Sequence, residues 1–369
     1  MTRWTEGGIG RRERDGSMCD RDILARIINP HADRYVVESI PESSLLSASS
    51  VREKLQLSMW EEFAAACALY SRGMTLAHEL FEKKLDLFPR AELAAWAVDT
   101  MESLTRNKSA LLSLCKLRCG DDYLCSHSVN AAVLGAAFAM HLGVNRVFLP
   151  DFVTAGFLHD VGKRFVPEHV LRYPGGLSPS QMEEMRAHVL RGQEFLRMWD
   201  GISPIVLDGE LDHHECHDGS GYPYGKSEKE ISFTGRLLAV VDMYDAMSSS
   251  RGYRSQVTPF RALGFMYNKR DSRFAPGYPQ AFIRLMGVYP PGSFVRLSDG
   301  SLALVLEADA HAGLRPLVMR VLDREGRSCA PDVTSLGEHE ELSVSGTLWK
   351  LPARLRRDAE QRICRIRGQ

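Results

Sequence analysis

Two stretches decide how this chain reads: Leu158-His-Asp-Val-Gly-Lys163 and His213-His-Glu-Cys-His-Asp-Gly-Ser-Gly-Tyr-Pro223. Each sets imidazole beside carboxylate, and the second ends in a glycine-rich turn. They lie inside a wider enrichment. Eight of the 12 histidines fall between His127 and His217, where an even scatter over 369 residues would leave about three. Such clustering points to a metal site.

Working outward, an ordered series appears: His127, His159-Asp160, His188, His213-His214 and Asp242. Mixed imidazole and carboxylate donors suit iron, manganese or zinc, and the lack of cysteine at these places disfavours a structural zinc. Seven donors exceed the needs of one ion. A carboxylate such as Asp160 can bridge two ions about 3.5–4 Å apart, the arrangement used for displacement at phosphorus. Lys163 lies four residues after His159, on the same face if the segment is helical, and can reach a phosphate oxygen. Arg251 and Arg254 could hold a second phosphate. A single histidine on a helical face is more often a satisfied core residue than a ligand, which is how His141 and His169 read. The glycine-rich turn, taken by itself, reads as a structural turn with a packed tyrosine.

The whole chain is 44% apolar and 25% charged with a net charge of −1, which excludes wholesale disorder and argues against a general nucleic-acid binder. The eight cysteines form no disulfide framework, so a reducing cytoplasm is expected. No run of 18 apolar residues suggests a membrane span, and Ala131–Met140 is short enough for a buried helix. The polar stretch 1–20 is expected to be a disordered leader.

Apolar residues recur at three- and four-residue steps from Val51 to about Lys116, and Ser58 could cap a helix there. Helical patterning continues to about Ser250. After Pro290-Pro291-Gly292 come short apolar segments divided by turn residues, at 293–297, 302–306 and 317–321, which predict a small β appendage of three or four strands. The expected organisation is a mainly α chain: a helical regulatory or oligomerisation region at 21–104, a catalytic core at 105–290, the β appendage at 291–349 and a basic tail at 350–369. The tail carries seven basic and two acidic residues and is expected to be solvated or partly helical.

The two opening stretches resemble the H-D-x-G-K signature of the HD phosphohydrolase superfamily and the H-H-E-x-x-D-G-x-G-Y-P element of its HD-GYP subfamily. The similarity extends to His127-Ser-Val-Asn, Pro174-Gly-Gly-Leu-Ser, His188-x-x-x-Gly192, Asp242-Met-Tyr-Asp-Ala-Met and Arg251-Gly-Tyr-Arg254. It implies a helical HD-type core that hydrolyses cyclic di-GMP to pGpG and/or GMP by means of two divalent transition-metal ions, iron or manganese. By residue match, His127, His159, Asp160 and Asp242 would hold one ion. His188, His213 and His214 would hold the other, with Asp160 bridging. Asp160 and Lys163 are the candidate catalytic residues, and Lys163, Tyr222, Asp245, Arg251 and Arg254 match positions at or near substrate. The expected nucleophile is a hydroxide bridging the two ions, with Lys163 and the arginines countering charge on the phosphoryl oxygens. Some members carry a glutamate four residues before the first histidine for a third ion; Tyr123 stands there, so two ions are expected. Gly252, Cys216, His217 and Tyr173 depart from frequent family residues, a matter of substrate affinity since no ligand is lost. The alternative is an HD-GYP module that binds cyclic di-GMP or protein partners as a sensor or scaffold without turnover. A homodimer and signalling partners are compatible with either.

Overall fold

The computed structural model describes residues 57–82, 89–118, 122–249, 257–270, 272–308, 314–348 and 352–366. The expected leader, part of the N-terminal region, and both Arg251 and Arg254 lie outside the described residues.

Helix α1 (Met59–Glu82) buries Met59, Phe63, Ala66, Tyr70, Ala77 and Leu80, a stripe at helical spacing. Ser58 precedes it and donates both its backbone N–H and its hydroxyl to Glu61, at 2.7 and 2.6 Å. The stripe packs on α2 (Arg90–Leu117), where Trp96 sits over Gly73 and donates to the Leu69 carbonyl at 2.9 Å. Buried Glu62 joins the two helices by accepting from Arg106 Nε and Nη2 and from the Ser103 hydroxyl. Helix α2 is interrupted at Asn107, whose side-chain amide donates to Leu57 O and Glu307 Oε1.

The central helices follow: α3 (Tyr123–His141), α4 (Leu149–Leu158), α5 (Glu168–Leu171), α6 (Pro179–Arg186), α7 (His188–Arg197), α8 (Pro204–Asp212), α9 (Phe233–Ser248), α10 (Pro259–Asn268) and α11 (Tyr278–Met286). Short 3-10 turns add Arg146–Phe148, Val161–Phe165 and Glu228–Glu230. Among the described residues α3 is the one helix long and apolar enough to cross a membrane, but 83% of its apolar window is buried inside the protein. Ala131 to Ala139 are buried among its neighbours. It is the axis of the helical core, not a span facing outward.

Five antiparallel strands complete the architecture: β1 (Phe294–Leu297), β2 (Leu302–Glu307), β3 (Leu317–Leu322), β4 (Ser328–Ser335) and β5 (Val344–Leu348), in the order β4-β3-β2-β1-β5. The expected appendage is present with one strand more than its upper count. The apolar segments named from sequence are β1 to β3; β4 and β5 are the edge strands, polar and half exposed, so they lack a hydrophobic signal. Strand β2 is buried on both faces. Leu302, Leu304 and Leu306 join the helical core, while Ala303 and Val305 form a small second core with Val295, Leu297, Val318 and Leu336.

Of the two forms expected for the basic tail, the described residues take the helical one. Residues Ala353–Arg365 form α12, which buries Ala359 and Ile363. Buried Arg362 donates to the backbone carbonyls of Val321 and Cys329 and to the Ser328 hydroxyl, tying the helix to the sheet. Arg118 on the other side pairs with Glu360 at 2.5 Å. A composition dominated by arginine hid an apolar stripe only a few residues wide.

Candidate metal centre

Five helices and a 3-10 turn converge on one buried point. His127 projects from the second turn of α3, and His159 ends α4. Asp160 opens the following 3-10 turn, His188 is the first residue of α7, His213 and His214 follow α8, and Asp242 lies in α9. Small residues allow this approach. A Cβ on Gly156 would fall 2.4 Å from the Ala131 carbonyl oxygen, so glycine lets α4 close on α3. Gly162, the glycine of the first opening stretch, lies against α7: a Cβ there would sit 1.8 Å from the His188 carbonyl oxygen and 2.7 Å from Gly192 N. Gly162→Ala is expected to lower stability by at least about 3 kcal/mol, because backbone rather than a movable side chain blocks the added methyl. Urea denaturation checks this; a loss under about 1 kcal/mol would mean the crossing is looser than described.

The donor atoms fall into two groups, each within 4.8 Å: His127, His159 and Asp242, and Asp160, His188, His213 and His214. Asp160 stands between them. Its Oδ2 lies 3.4 Å from both His127 Nε2 and His159 Nε2, and its Oδ1 lies 3.2 Å from His188 Nε2 and 3.6 Å from His213 Nε2. His127 Nε2 also lies 3.1 Å from Asp242 Oδ1. The structure thus brings together the seven residues expected as ligands, with Asp160 grouped with His188, His213 and His214.

Proton placement shows that these residues fit cations. His159, His188 and His213 each set Nδ1 2.7 Å from a backbone carbonyl oxygen, of Gly156, Met185 and Glu210 respectively. A carbonyl only accepts, so each Nδ1 carries the proton and each Nε2 presents a bare lone pair. His127 does the same through Asp245 Oδ2 at 2.8 Å. The His127 and His159 Nε2 atoms are then 3.2 Å apart, lone pair to lone pair. Asp160 Oδ1, His188 Nε2 and His213 Nε2 are buried without a hydrogen-bond partner. Acceptors crowded against acceptors in a dry site are unfavourable unless positive charge lies among them.

Burial acts to lower the His127 imidazole, but Tyr123 and the hydrogen-bonded carboxylates of Asp160, Asp242 and Asp245 hold it well above its ordinary range, so its surroundings favour a positive charge there, a proton or a cation. Burial, with the neighbouring His213 and His188, holds the His214 imidazole well below its ordinary range, and burial likewise lowers His188, so both are neutral donors. Burial acts to raise Asp160, but Lys163 and His159 overcome it and keep the carboxyl ionised. Lys163 Nζ pairs with Asp160 Oδ2, and that pairing outweighs the burial that would lower its ammonium.

Other expected site residues are placed differently. Asp245, matched to a position near substrate, has no exposed surface. It accepts from His127 Nδ1, Asn130 Nδ2 at 3.0 Å and the Ser249 hydroxyl at 2.8 Å, so it orients a ligand from behind. This corrects the expectation of substrate contact: α9 carries Asp242 and Asp245 one turn apart, and only the first reaches the open side. Tyr222 stacks on His214 with ring centroids 4.7 Å apart, and burial raises its phenol so that it stays a hydrogen-bond donor. Gly221 closes on the loop's own backbone, where a Cβ would lie 2.4 Å from Cys216 N, rather than toward a ligand. His217 is in neither donor group.

Sequence reading missed two cations beside Tyr222. The Arg186 guanidinium lies over the tyrosine ring, 5.0 Å from its centroid, and Arg273 is close enough to act on the phenol. Neither belongs to a motif, and only the fold brings α6 and the segment before α11 to this loop. It also missed Glu210, fully buried behind His213. Burial and the charge of Asp160 push its carboxyl well above the usual range.

An HD-domain family model matches residues 122–277, the segment that carries every donor. The chain is 33% identical over 289 residues to the cyclic di-GMP phosphodiesterase PA4108 of Pseudomonas aeruginosa, covering 76% of this chain and 70% of that one. The chain belongs to the HD-GYP family of phosphohydrolases. Within it, similarity extends to a cyclic di-GMP phosphodiesterase of Thermotoga maritima, 35% identical over 43% of this chain and 44% of the relative. It also extends to 3'3'-cGAMP-specific phosphodiesterase 1 of Vibrio cholerae, 32% identical over 38% of this chain and 32% of the relative. HD-GYP membership and the two donor groups together make this a metal-dependent phosphohydrolase, of the class that acts on cyclic dinucleotides.

Asp245→Asn keeps shape and removes the charge behind His127. It is expected to weaken metal binding by about 10- to 100-fold while leaving the fold intact. Metal titration followed by calorimetry checks this, and an unchanged affinity would remove Asp245 from the centre's support.

Proposed function

We propose that this chain is a cyclic di-GMP phosphodiesterase that opens the ring to pGpG and/or GMP, using two iron or manganese ions. The observation that carries the reading is Asp160, one oxygen facing each donor group. His127, His159, Asp160 and Asp242 would hold one ion, and Asp160, His188, His213 and His214 the other. Divalent ions there supply Lewis acidity toward phosphoryl oxygens and make a water nucleophile available near neutral pH.

The chain's own residues do the rest. Lys163, with 15% of its side chain exposed at the edge of the donor groups, places an ammonium where a non-bridging phosphoryl oxygen gains charge. The neutral phenol of Tyr222 and the guanidinium of Arg186 above its ring form a flat cationic surface for a guanine or the second phosphate. Arg251 and Arg254 remain the proposed second phosphate contact. The near-zero net charge is compatible with such a substrate, because placed cations supply positive field locally. A cytoplasmic location suits an enzyme acting on an intracellular second messenger.

Relatives specific for 3'3'-cGAMP make the base the question to test. Steady-state kinetics with cyclic di-GMP and 3'3'-cGAMP are expected to show the higher kcat/KM for cyclic di-GMP. A preference for 3'3'-cGAMP would overturn the substrate assignment while leaving the metal centre intact.

A further inference from the structure

A second set of metal-ligating groups lies outside the centre described above. His78 is on α1, and Asp122 and Cys125 begin α3; their donor atoms all lie within 4.8 Å of one another. The individual distances matter more. His78 Nδ1 is 3.6 Å from Cys125 Sγ and 3.2 Å from Asp122 Oδ2. A tetrahedral zinc with Zn–S of about 2.3 Å and Zn–N or Zn–O of about 2.0–2.2 Å separates sulfur from nitrogen by about 3.6 Å and nitrogen from oxygen by about 3.4 Å. The observed pairs already have the edge lengths of such a tetrahedron.

The surroundings hold the donors in place. Asp122 uses its other oxygen to accept the Cys125 backbone N–H at 3.2 Å, which fixes the carboxylate and leaves Oδ2 toward His78. Cys125 is buried, while the His78 and Asp122 side chains are 42% and 37% exposed, so water can complete a fourth position from outside. Cys125 and His127 are two residues apart on α3 and therefore face different sides of the helix, which keeps this set separate from the centre at His127.

We propose that His78, Asp122 and Cys125 form a zinc site that pins α1 to the start of α3. On binding, the Cys125 thiol releases its proton to solvent and His78 binds through Nδ1 as neutral imidazole; no electrons move. Thiolate, imidazole and carboxylate together favour zinc over magnesium or calcium. The proposal is independent of the substrate reading, because no donor is shared with the hydrolytic centre.

Sulfur gives the test its selectivity. The His127 and His188 groups contain no cysteine, so a thiolate-to-cobalt charge-transfer band that depends on Cys125 separates the new site from that centre when the metal-stripped full chain is titrated with Co²⁺. The expected result is a near-ultraviolet band whose intensity at saturation corresponds to one thiolate-bound cobalt per chain. It should be lost in Cys125→Ser, require at least tenfold more cobalt in His78→Gln, and persist in Cys216→Ser. Should Cys125→Ser fail to fold by circular dichroism, half-exposed His78→Gln decides. A folded wild-type chain without the band, a band that survives in folded Cys125→Ser, or an unchanged titration in His78→Gln would overturn the site.

Discussion

Asp160→Ala is expected to empty the centre of metal and to lower phosphodiester hydrolysis by on the order of 10³-fold or more. Among the described residues no other side chain serves both donor groups: Oδ2 meets His127 and His159, and Oδ1 meets His188 and His213. Removing it leaves five imidazoles and Asp242 with no shared anion to balance two cations, so both sites weaken together. It also takes from Lys163 the carboxylate it pairs with. Metal analysis of the purified variant should show less than half the wild-type content. Retention of full metal content with full activity would mean that Asp160 is not the bridge. The double variant His159→Ala with Asp160→Ala should be at least as impaired, and unchanged hydrolysis in it would sink the site assignment altogether.

Lys163→Ala should behave differently. The ammonium donates no ligand, so its loss is expected to leave metal content near wild type while kcat falls by about 10²- to 10³-fold, the scale seen when one charge-stabilising donor is removed from a transition state. The mechanism behind the number is local dielectric. Lys163 is largely buried beside a carboxylate, so its charge acts with little screening on a phosphoryl oxygen close by. KM should change less than kcat, because the charge it meets grows during the reaction. If metal content falls as far as kcat does, Lys163 supports Asp160 rather than meeting substrate, and its place in the proposed chemistry would have to be withdrawn.

These two residues were legible in the sequence because they stand within one short motif, where spacing alone puts imidazole, carboxylate and ammonium on neighbouring turns. The seven donor residues, spread from His127 to Asp242, were legible as an ordered series of imidazole and carboxylate, which the resemblance divided into two expected sets. Asp245 shows where that reading stops. It is three residues after Asp242, and spacing cannot say which of two carboxylates on adjacent turns faces the open side and which faces Asn130 and Ser249. Arg186 and Arg273 were invisible because they meet Tyr222 only after α6 and the segment before α11 are folded against the glycine-rich loop. Fold reading had a parallel limit. Strands β1 to β3 announced themselves by burial on their apolar faces, whereas β4 and β5 are held largely by backbone pairing to neighbours, which leaves no hydrophobic pattern to read.

The histidine enrichment is also resolved into parts. Of the eight histidines in the dense window, five stand in the two donor groups, and His141, His169 and His217 do not. His78, outside that window, lies against a cysteine instead. Imidazole content by itself could not separate these roles; for His127, His159, His188 and His213 the acceptor at Nδ1 does, because it leaves the free lone pair on Nε2.

The central claim is that the two donor groups form a hydrolytic centre for cyclic di-GMP. Its most direct test is to purify the chain anaerobically, count the metals bound, and follow cyclic di-GMP and its products chromatographically with and without chelator. The expected result is two ions per chain in the His/Asp centre, with linear dinucleotide or GMP formed only by the metal-loaded protein. Retained binding of cyclic di-GMP by a fully metal-loaded chain that releases no product would contradict the account and make the protein a nucleotide sensor.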